Sequence, residues 1–116
     1  MHALIIEDES LTAQLIEGRL RELGFISFAF AMDEQEAVAA AALRCPDLIT
    51  SDVQLTYGCG IDAVQRICDD KPPIPVVYIT GVAAVVRERC PWAIVIQKPF
   101  GMADLRAGVR EACKPA

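Results

Sequence analysis

The chain has 116 residues, of which 53% are hydrophobic, and it carries a net charge of −5. This length and composition suit one domain, over residues 1–116, with a core large enough to fold without metal or disulfide support. They exclude a membrane span, because no apolar run is long enough, and direct nucleic-acid binding, because no Lys/Arg cluster supplies positive charge. The first apolar run stops at Glu7 and Asp8, too early for a signal peptide, so we expect a cytoplasmic protein.

Five short apolar runs, typical of buried strands, alternate with longer segments of helical character. Alternation of this kind predicts βαβ units, and hence a doubly wound parallel sheet with helices on both faces. The fold class is therefore α/β. The predicted strands cover residues 3–6, 25–31, 47–52, 76–79 and 93–96.

Apolar residues recur at helical spacing between these runs. The first helix is predicted to take Ser10 as its N-cap and to end at Gly24. The second starts from a capping-box pair, Asp33 and Glu36, and a weak fourth helix is predicted over residues 83–89. The inner faces predicted for the first, third and last helices consist of Leu11, Leu15, Ile16, Leu20 and Leu23; of Ile61, Val64, Ile67 and Cys68; and of Leu105 and Val109.

Polar residues follow four of the five predicted strands. Because the carboxyl ends of parallel strands lie at one edge of a sheet, where ligands bind, these residues are expected to converge. Any one of them alone is equally compatible with a turn, a helix cap or a solvated surface position, and only their joint placement favours a functional site. The residues are Glu7 and Asp8 after the first strand, Asp52 after the third, Thr80 after the fourth and Lys98 after the fifth.

The chemistry of these side chains suits the transfer of a phosphoryl group. Carboxylates crowded at one edge repel each other, and a hard divalent cation with oxygen ligands, Mg²⁺ for preference, neutralises them. Asp52 ends the third strand, in the centre of the sheet, and is placed to act as the nucleophile. Lys98 supplies a positive charge, and Thr80 a hydroxyl, for the oxygens of the transferred group.

Four motifs occur in order along the chain: Leu4-Ile5-Ile6-Glu7-Asp8-Glu9; Ser51-Asp52-Val53, followed by Gly60; Ile79-Thr80-Gly81; and Lys98-Pro99-Phe100. In this order they resemble the acidic pair, the phosphoacceptor segment, the hydroxyl site and the lysine signature of response-regulator receiver domains, the CheY-like superfamily. The match runs along the whole chain. It implies a flavodoxin-like sheet with strand order 2-1-3-4-5 and a part in two-component signalling.

The resemblance also implies a mechanism and partners. The phosphoryl group comes from a phosphohistidine on a histidine kinase or a histidine phosphotransfer protein, and a conformational change then signals to a downstream protein partner. Such a domain catalyses only its own phosphorylation and dephosphorylation, so it is not an enzyme in the ordinary sense. The phosphoacceptor implied is Asp52, the Mg²⁺ ligands are Glu7, Asp8, Asp52 and the backbone carbonyl of Gln54, the residues that contact the phosphoryl group are Thr80 and Lys98, and the Lys98–Pro99 bond is often cis.

Two features depart from the usual family pattern. Val95 stands where the family usually has a switch aromatic, and the stretch from Thr80 to Lys98 is short, which predicts a short or irregular fourth helix. Together with Pro75-Val76-Val77-Tyr78-Ile79-Thr80-Gly81, these features resemble the receivers of alphaproteobacterial general-stress regulation.

One alternative stays open: a receiver-like protein-interaction module that is regulated without phosphorylation. Enzymes on a similar sheet are disfavoured, because Asp52-Val53-Gln54 lacks the second acid of an Asp-x-Asp phosphatase and because a P-loop is absent from the sequence. Four apolar residues near the fourth helix belong either to a partner surface or to the core, and we expect the valines to be core residues. They are Val82, Val85, Val86 and Trp92.

Overall fold

The computed structural model describes residues 1–69 and 71–114. Over these residues, five strands and five helices alternate along the chain. The strands are β1 (His2–Ile6), β2 (Ser27–Ala31), β3 (Leu48–Ser51), β4 (Val76–Thr80) and β5 (Ile94–Gln97). The helices are α1 (Ser10–Glu22), α2 (Glu34–Leu43), α3 (Gly60–Cys68), α4 (Ala83–Arg89) and α5 (Met102–Ala112). No helix among the described residues combines the length and the apolar character that crossing a membrane requires.

The strands form a single parallel sheet in the order β2-β1-β3-β4-β5, which confirms the predicted fold class and topology. Every residue of β1 and β3 is buried, as expected for central strands that helices cover on both faces. Since all five strands run the same way, their carboxyl ends lie along one edge. The predicted site residues therefore have a common edge on which to meet.

The sheet separates two hydrophobic cores, because successive side chains of a strand point to opposite faces. On β1, Leu4 and Ile6 belong to the core that α2, α3 and α4 cover, whereas Ala3 and Ile5 belong to the core under α1 and α5. The predicted inner residues of α3 and α5 lie in these cores, with Cys68 only partly buried.

The ends of α1 and α2 follow local sequence signals. Gly24, two residues after the end of α1, adopts a φ of 100°, a left-handed conformation that suits glycine. At the start of α2, Asp33 Oδ1 accepts a hydrogen bond of 2.8 Å from Glu36 N, as predicted. Glu36 Oε1 accepts one of 2.8 Å from Met32 N, one residue earlier than in an ordinary capping box.

The start and the inner face of α1 differ from the prediction. Ser10 is the first helical residue rather than the N-cap, which is Glu9 and forms no side-chain cap. Leu11 and Leu15 are 77% and 45% exposed, and Ala13, Ile16 and Leu20 form the buried face. Apolar residues occur at helical spacing on both the exposed and the buried face of α1. Periodicity alone therefore does not identify the face that packs on the sheet.

Phe25 was predicted to begin the second strand, but it lies in the turn after α1. Its backbone N–H donates to Leu20 O at 3.1 Å, and its side chain is buried beneath that helix end. β2 therefore starts two residues later, at Ser27. β5 is displaced by one residue, so that Gln97 rather than Ile96 ends it.

The fourth helix is short, as predicted, and spans seven residues. Of the valines expected in the core, Val86 is fully buried and Val82 is partly buried, whereas Val85 is 40% exposed. Trp92 is 81% exposed after the end of α4. The expectation was therefore right for Val86 and wrong for Val85, which lies on the outward row of the helix.

Candidate functional site

Three carboxylates meet at the carboxyl edge of the sheet. Glu7 and Asp8 follow β1 and Asp52 follows β3, and each offers a carboxylate oxygen within 4.8 Å of the other two. β1 and β3 are adjacent, and Ile6 pairs with Ser51, which brings the following residues of the two strands side by side. The structure thus brings together the acids whose convergence was expected from the sequence.

Lys98 bridges two of these acids. Its Nζ donates to Glu7 Oε1 at 2.7 Å and to Asp52 Oδ2 at 2.9 Å. The side chains of Glu7 and Asp52 are only 2% and 10% exposed, and that of Lys98 is 25% exposed. A charge that is buried to this degree is costly unless an opposite charge lies beside it. The charges of Glu7, Asp52 and Lys98 therefore stabilise one another.

The pKa values of this group follow from burial and pairing. Burial raises the pKa of Glu7, and the hydrogen bond and charge of Lys98 offset this only in part. Burial opposes the charge of Lys98, but the two carboxylates outweigh it and raise the lysine pKa above its usual value. Lys98 is therefore a permanent cation at neutral pH.

Asp8 points to a different partner, Thr56, in the loop after β3. Asp8 Oδ2 accepts hydrogen bonds of 2.7 Å from both the backbone N–H and the hydroxyl of Thr56. Partial burial works to raise the pKa of Asp8, but these bonds outweigh it and lower that pKa. Asp8 is thus held as a carboxylate. Sequence reasoning missed Thr56, because an irregular loop carries no periodic signal.

Backbone groups fix the orientation of the Asp52 side chain. Its Oδ1 accepts from Val53 N at 2.7 Å and from Gln54 N at 3.3 Å, which leaves Oδ2 facing Lys98. Gln54 itself pairs with Cys59 in an isolated antiparallel bridge. The role of the Gln54 carbonyl as a metal ligand stays a prediction.

Thr80 is fully buried at the end of β4. Its Oγ1 accepts a hydrogen bond of 3.2 Å from Val82 N, and its carbonyl accepts one of 2.8 Å from Lys98 N. Because Ser51 of β3 pairs with Tyr78, Thr80 lies just beyond the level of Asp52 on the neighbouring strand. The Lys98–Pro99 bond is cis.

Gln97, which was not singled out in the sequence, contacts the segment after Thr80. Its Nε2 donates to Gly81 O at 2.8 Å and to Lys98 O at 3.2 Å. Its Oε1 accepts from Ala83 N at 3.2 Å. A glutamine at the end of an edge strand reads as an ordinary surface residue, so the sequence contained no signal for these contacts.

The donor set at this edge suits a hard cation. Three carboxylates supply oxygen atoms, and Mg²⁺ and Ca²⁺ prefer oxygen ligands from carboxylates, carbonyls and water. Only one cationic side chain, that of Lys98, hydrogen-bonds these acids within residues 1–69 and 71–114. The negative charge therefore exceeds the positive charge, and a divalent ion would balance it.

A parallel sheet of this order with acids, a hydroxyl and a lysine on one edge defines the receiver class of signalling domain. The chain matches the response regulator receiver domain family over residues 3–110. It belongs to this family.

Comparison with individual proteins shows which members of the family this chain is similar to. The chain is 39% identical over 106 residues to the transcriptional regulatory protein PdtaR of Mycobacterium tuberculosis, with 88% of this chain and 51% of PdtaR covered. It is 36% identical over 113 residues to the phyllosphere-induced regulator PhyR of Methylorubrum extorquens, with 94% and 42% covered. The chain thus spans about half the length of these curated relatives.

Solved structures give the same relationship. The receiver domain of PhyR from Erythrobacter litoralis has a TM-score of 0.86 and 31% identity, over 96% of this chain and 88% of that one. PhyR from Brucella abortus has a TM-score of 0.85 and 32% identity, over 97% of this chain and 47% of that one. The resemblance to receivers of the general-stress type is confirmed by these similarities to PhyR.

Proposed function

We propose that this chain accepts a phosphoryl group on Asp52, in a Mg²⁺-dependent reaction, from a phosphohistidine on a histidine kinase or a histidine phosphotransfer protein. One observation carries the proposal: the oxygens of Glu7, Asp8 and Asp52 lie within 4.8 Å of one another, and Lys98 Nζ lies 2.9 Å from Asp52 Oδ2. The proposed nucleophile, its counter-charge and the proposed metal ligands thus lie together at one edge.

In the proposed reaction, Asp52 Oδ2 is the nucleophile, since Oδ1 is held by the backbone N–H groups of Val53 and Gln54. An electron pair of Oδ2 forms the new O–P bond as the P–N bond to histidine breaks, and the imidazole keeps the electrons of that bond. The ammonium of Lys98 and the hydroxyl of Thr80 then hold oxygens of the transferred group.

Glu7, Asp8, Asp52 and the Gln54 carbonyl are the proposed ligands of Mg²⁺. The ion, when bound, supplies positive charge that offsets the charge of the phosphoryl oxygens. Within the chain, Thr56 prepares this site because it keeps Asp8 ionised and oriented. Lys98 orients Glu7 through a hydrogen bond of 2.7 Å and offsets in part the rise in the Glu7 pKa that burial causes.

The exposed leucines of α1 give the phosphohistidine donor a place to bind. Leu15 lines a shallow cavity together with Thr12, Lys98, Pro99 and Phe100, and Leu11 lies one helical turn before it, largely exposed. This apolar surface borders the lysine that contacts Asp52. A donor helix that packs here would bring its histidine next to the phosphoacceptor.

The proposed output is binding to a downstream protein partner, and a cytoplasmic location is part of the proposal. PhyR from Bartonella quintana, 32% identical to this chain, carries the name anti-anti-sigma factor, which supports a protein as the partner. Val85 and Trp92, exposed on and after α4, offer apolar contacts for it.

Val95 favours a second candidate, the protein-interaction module regulated without phosphorylation. This residue is a partly buried core valine, not the aromatic that switches in most receivers. Such a module has no need of a divalent ion. It differs from the first proposal in predicting no Mg²⁺ affinity at Glu7, Asp8 and Asp52.

Incubation with acetyl phosphate and Mg²⁺ tests the proposal. We expect the intact mass of the folded protein to rise by one phosphoryl group, and expect none in the Asp52→Asn variant, because the amide is not a nucleophile for phosphorus. Asp69→Asn, an equally conservative change at an exposed site after α3, should be labelled like the wild type. Equal labelling of Asp52→Asn, or none of folded wild type, would rule the proposal out.

A further inference from the structure

The first N–H group of α4, that of Ala83, obtains its hydrogen-bond acceptor from another element. The N-cap of α4, Val82, has no polar side chain and forms no cap, although the first N–H groups of every helix need acceptors. A helix of seven residues also has little stability of its own. Gln97 of β5 supplies the missing acceptor to Ala83 N at 3.2 Å. The same amide donates to Gly81 O at 2.8 Å and so holds both sides of the turn.

A continuous set of hydrogen bonds joins this turn to the phosphoacceptor. Asp52 Oδ2 contacts Lys98 Nζ at 2.9 Å, and Lys98 N donates to Thr80 O at 2.8 Å. Gln97 Nε2 also reaches Lys98 O at 3.2 Å. Lys98, which contacts Asp52, is therefore the chain neighbour of Gln97, which supplies the acceptor to the first turn of α4.

We propose that Gln97 is a positioning residue that couples the charge at Asp52 to the first turn of α4. The proposal rests on the proposed function in one respect, that the natural change of charge is phosphorylation. New phosphoryl oxygens on Asp52 would compete for Lys98 Nζ and for the Thr80 hydroxyl, because charged acceptors form the stronger hydrogen bonds. To donate to these oxygens, the Thr80 side chain must turn toward Asp52, which moves Oγ1 away from Val82 N. The contacts of Gln97 with Gly81 and Ala83 then shift with the turn.

In this chain Gln97 takes the coupling role that an aromatic residue of β5 has in most receivers. The side chain of Val95 is apolar and packs in the core beneath α4, so it offers no hydrogen bond to the turn after Thr80. Gln97 lies two residues further along β5, where its backbone pairs with Thr80. Coupling of this kind needs contiguous contacts and evidence from paired mutations.

Hydrogen exchange of the Ala83 amide, measured by NMR on the folded chain, tests the inference. In Gln97→Ala we expect this amide to exchange about five to ten times faster than in the wild type, the effect of losing one hydrogen bond of ordinary net strength. Gln97→Glu keeps the acceptor but loses the donor to Gly81, so Ala83 should stay protected there. Gln35→Ala, at an exposed site of α2, should leave the exchange unchanged.

A paired comparison separates coupling from simple capping. We expect Asp52→Asn, and phosphorylation of the wild type, each to change Ala83 exchange severalfold, and we expect neither to change it further in the Gln97→Ala background. The inference is overturned if the Ala83 amide of Gln97→Ala exchanges at the wild-type rate, or if Asp52→Asn has the same effect on that rate in both backgrounds. Wild type that takes no phosphoryl group would instead overturn the proposed function, since the Asp52→Asn comparison needs no phosphorylation.

Discussion

Replacement of Gly60 by alanine should destabilise the protein by about 3 kcal/mol or more, the effect of forcing a methyl group into occupied space. Gly60 begins α3, and a Cβ there would overlap the carbonyl oxygen of Asp52 and approach Ser51 Oγ to 2.5 Å. Neither neighbour can move freely, because Ser51 lies in a central strand and Ser51 Oγ donates to that same carbonyl. Urea denaturation should show the loss as a lower midpoint.

Gly18→Ala is the matched control for this substitution. Gly18 lies inside α1, and a Cβ there has no neighbour within 4 Å. Alanine is the better helix former, so this variant should gain about 0.5–1 kcal/mol in its free energy of unfolding. If Gly60→Ala unfolds at the urea concentration of the wild type, the tight packing of the β3–α3 turn against Asp52 is wrong.

Replacement of Lys98 by methionine should lower the free energy of unfolding by about 2 kcal/mol at neutral pH, because removing one partner of a buried ion pair leaves charge without compensation. The side chains of Glu7 and Asp52 are almost inaccessible to solvent, and this one substitution removes the cation that both of them contact. The estimate is below the usual cost for fully buried pairs, since the Lys98 side chain keeps 25% of its exposure. Thermal or urea unfolding in Mg²⁺-free buffer measures it.

Two further variants test the cause of that loss. Glu7→Gln in the Lys98→Met background should restore part of the stability, because it removes one of the stranded charges. Lys114→Met removes an exposed lysine that contacts Glu111 at 3.4 Å, and should change stability by less than about 0.5 kcal/mol. The electrostatic account of this site is contradicted if Lys98→Met loses no stability, or if adding Glu7→Gln to Lys98→Met lowers the stability further.

The strands and the location of the site could be predicted from the sequence because each depends on a local signal. Buried parallel strands are short apolar runs, and the topology of βαβ units brings their carboxyl ends to one edge. Asp52 and Lys98 directly follow β3 and β5, and Thr80 is the last residue of β4. Their convergence is therefore a consequence of chain order and needs no knowledge of side-chain contacts.

The remaining features depend on tertiary contacts that periodicity does not encode. α1 carries apolar residues on two rows, and only the packed sheet distinguishes Ile16, which is buried, from Leu11, which is exposed. Phe25 reads as a strand residue but closes the turn after α1. Thr56 and Gln97 act through partners 48 and 14 residues away in the chain, a distance at which sequence spacing carries no information.

Titration of Mg²⁺ into the folded protein tests the central claim most directly, namely that Glu7, Asp8 and Asp52 together bind one divalent ion. Calorimetry should show saturable binding at a single site, and Mg²⁺ should raise the thermal midpoint, since a ligand at a hundred times its Kd adds about 2.7 kcal/mol to stability. Asp8→Asn should abolish both effects, and Asp69→Asn should keep them. Folded wild type that binds no Mg²⁺, or Asp8→Asn that binds it equally well, would contradict the account.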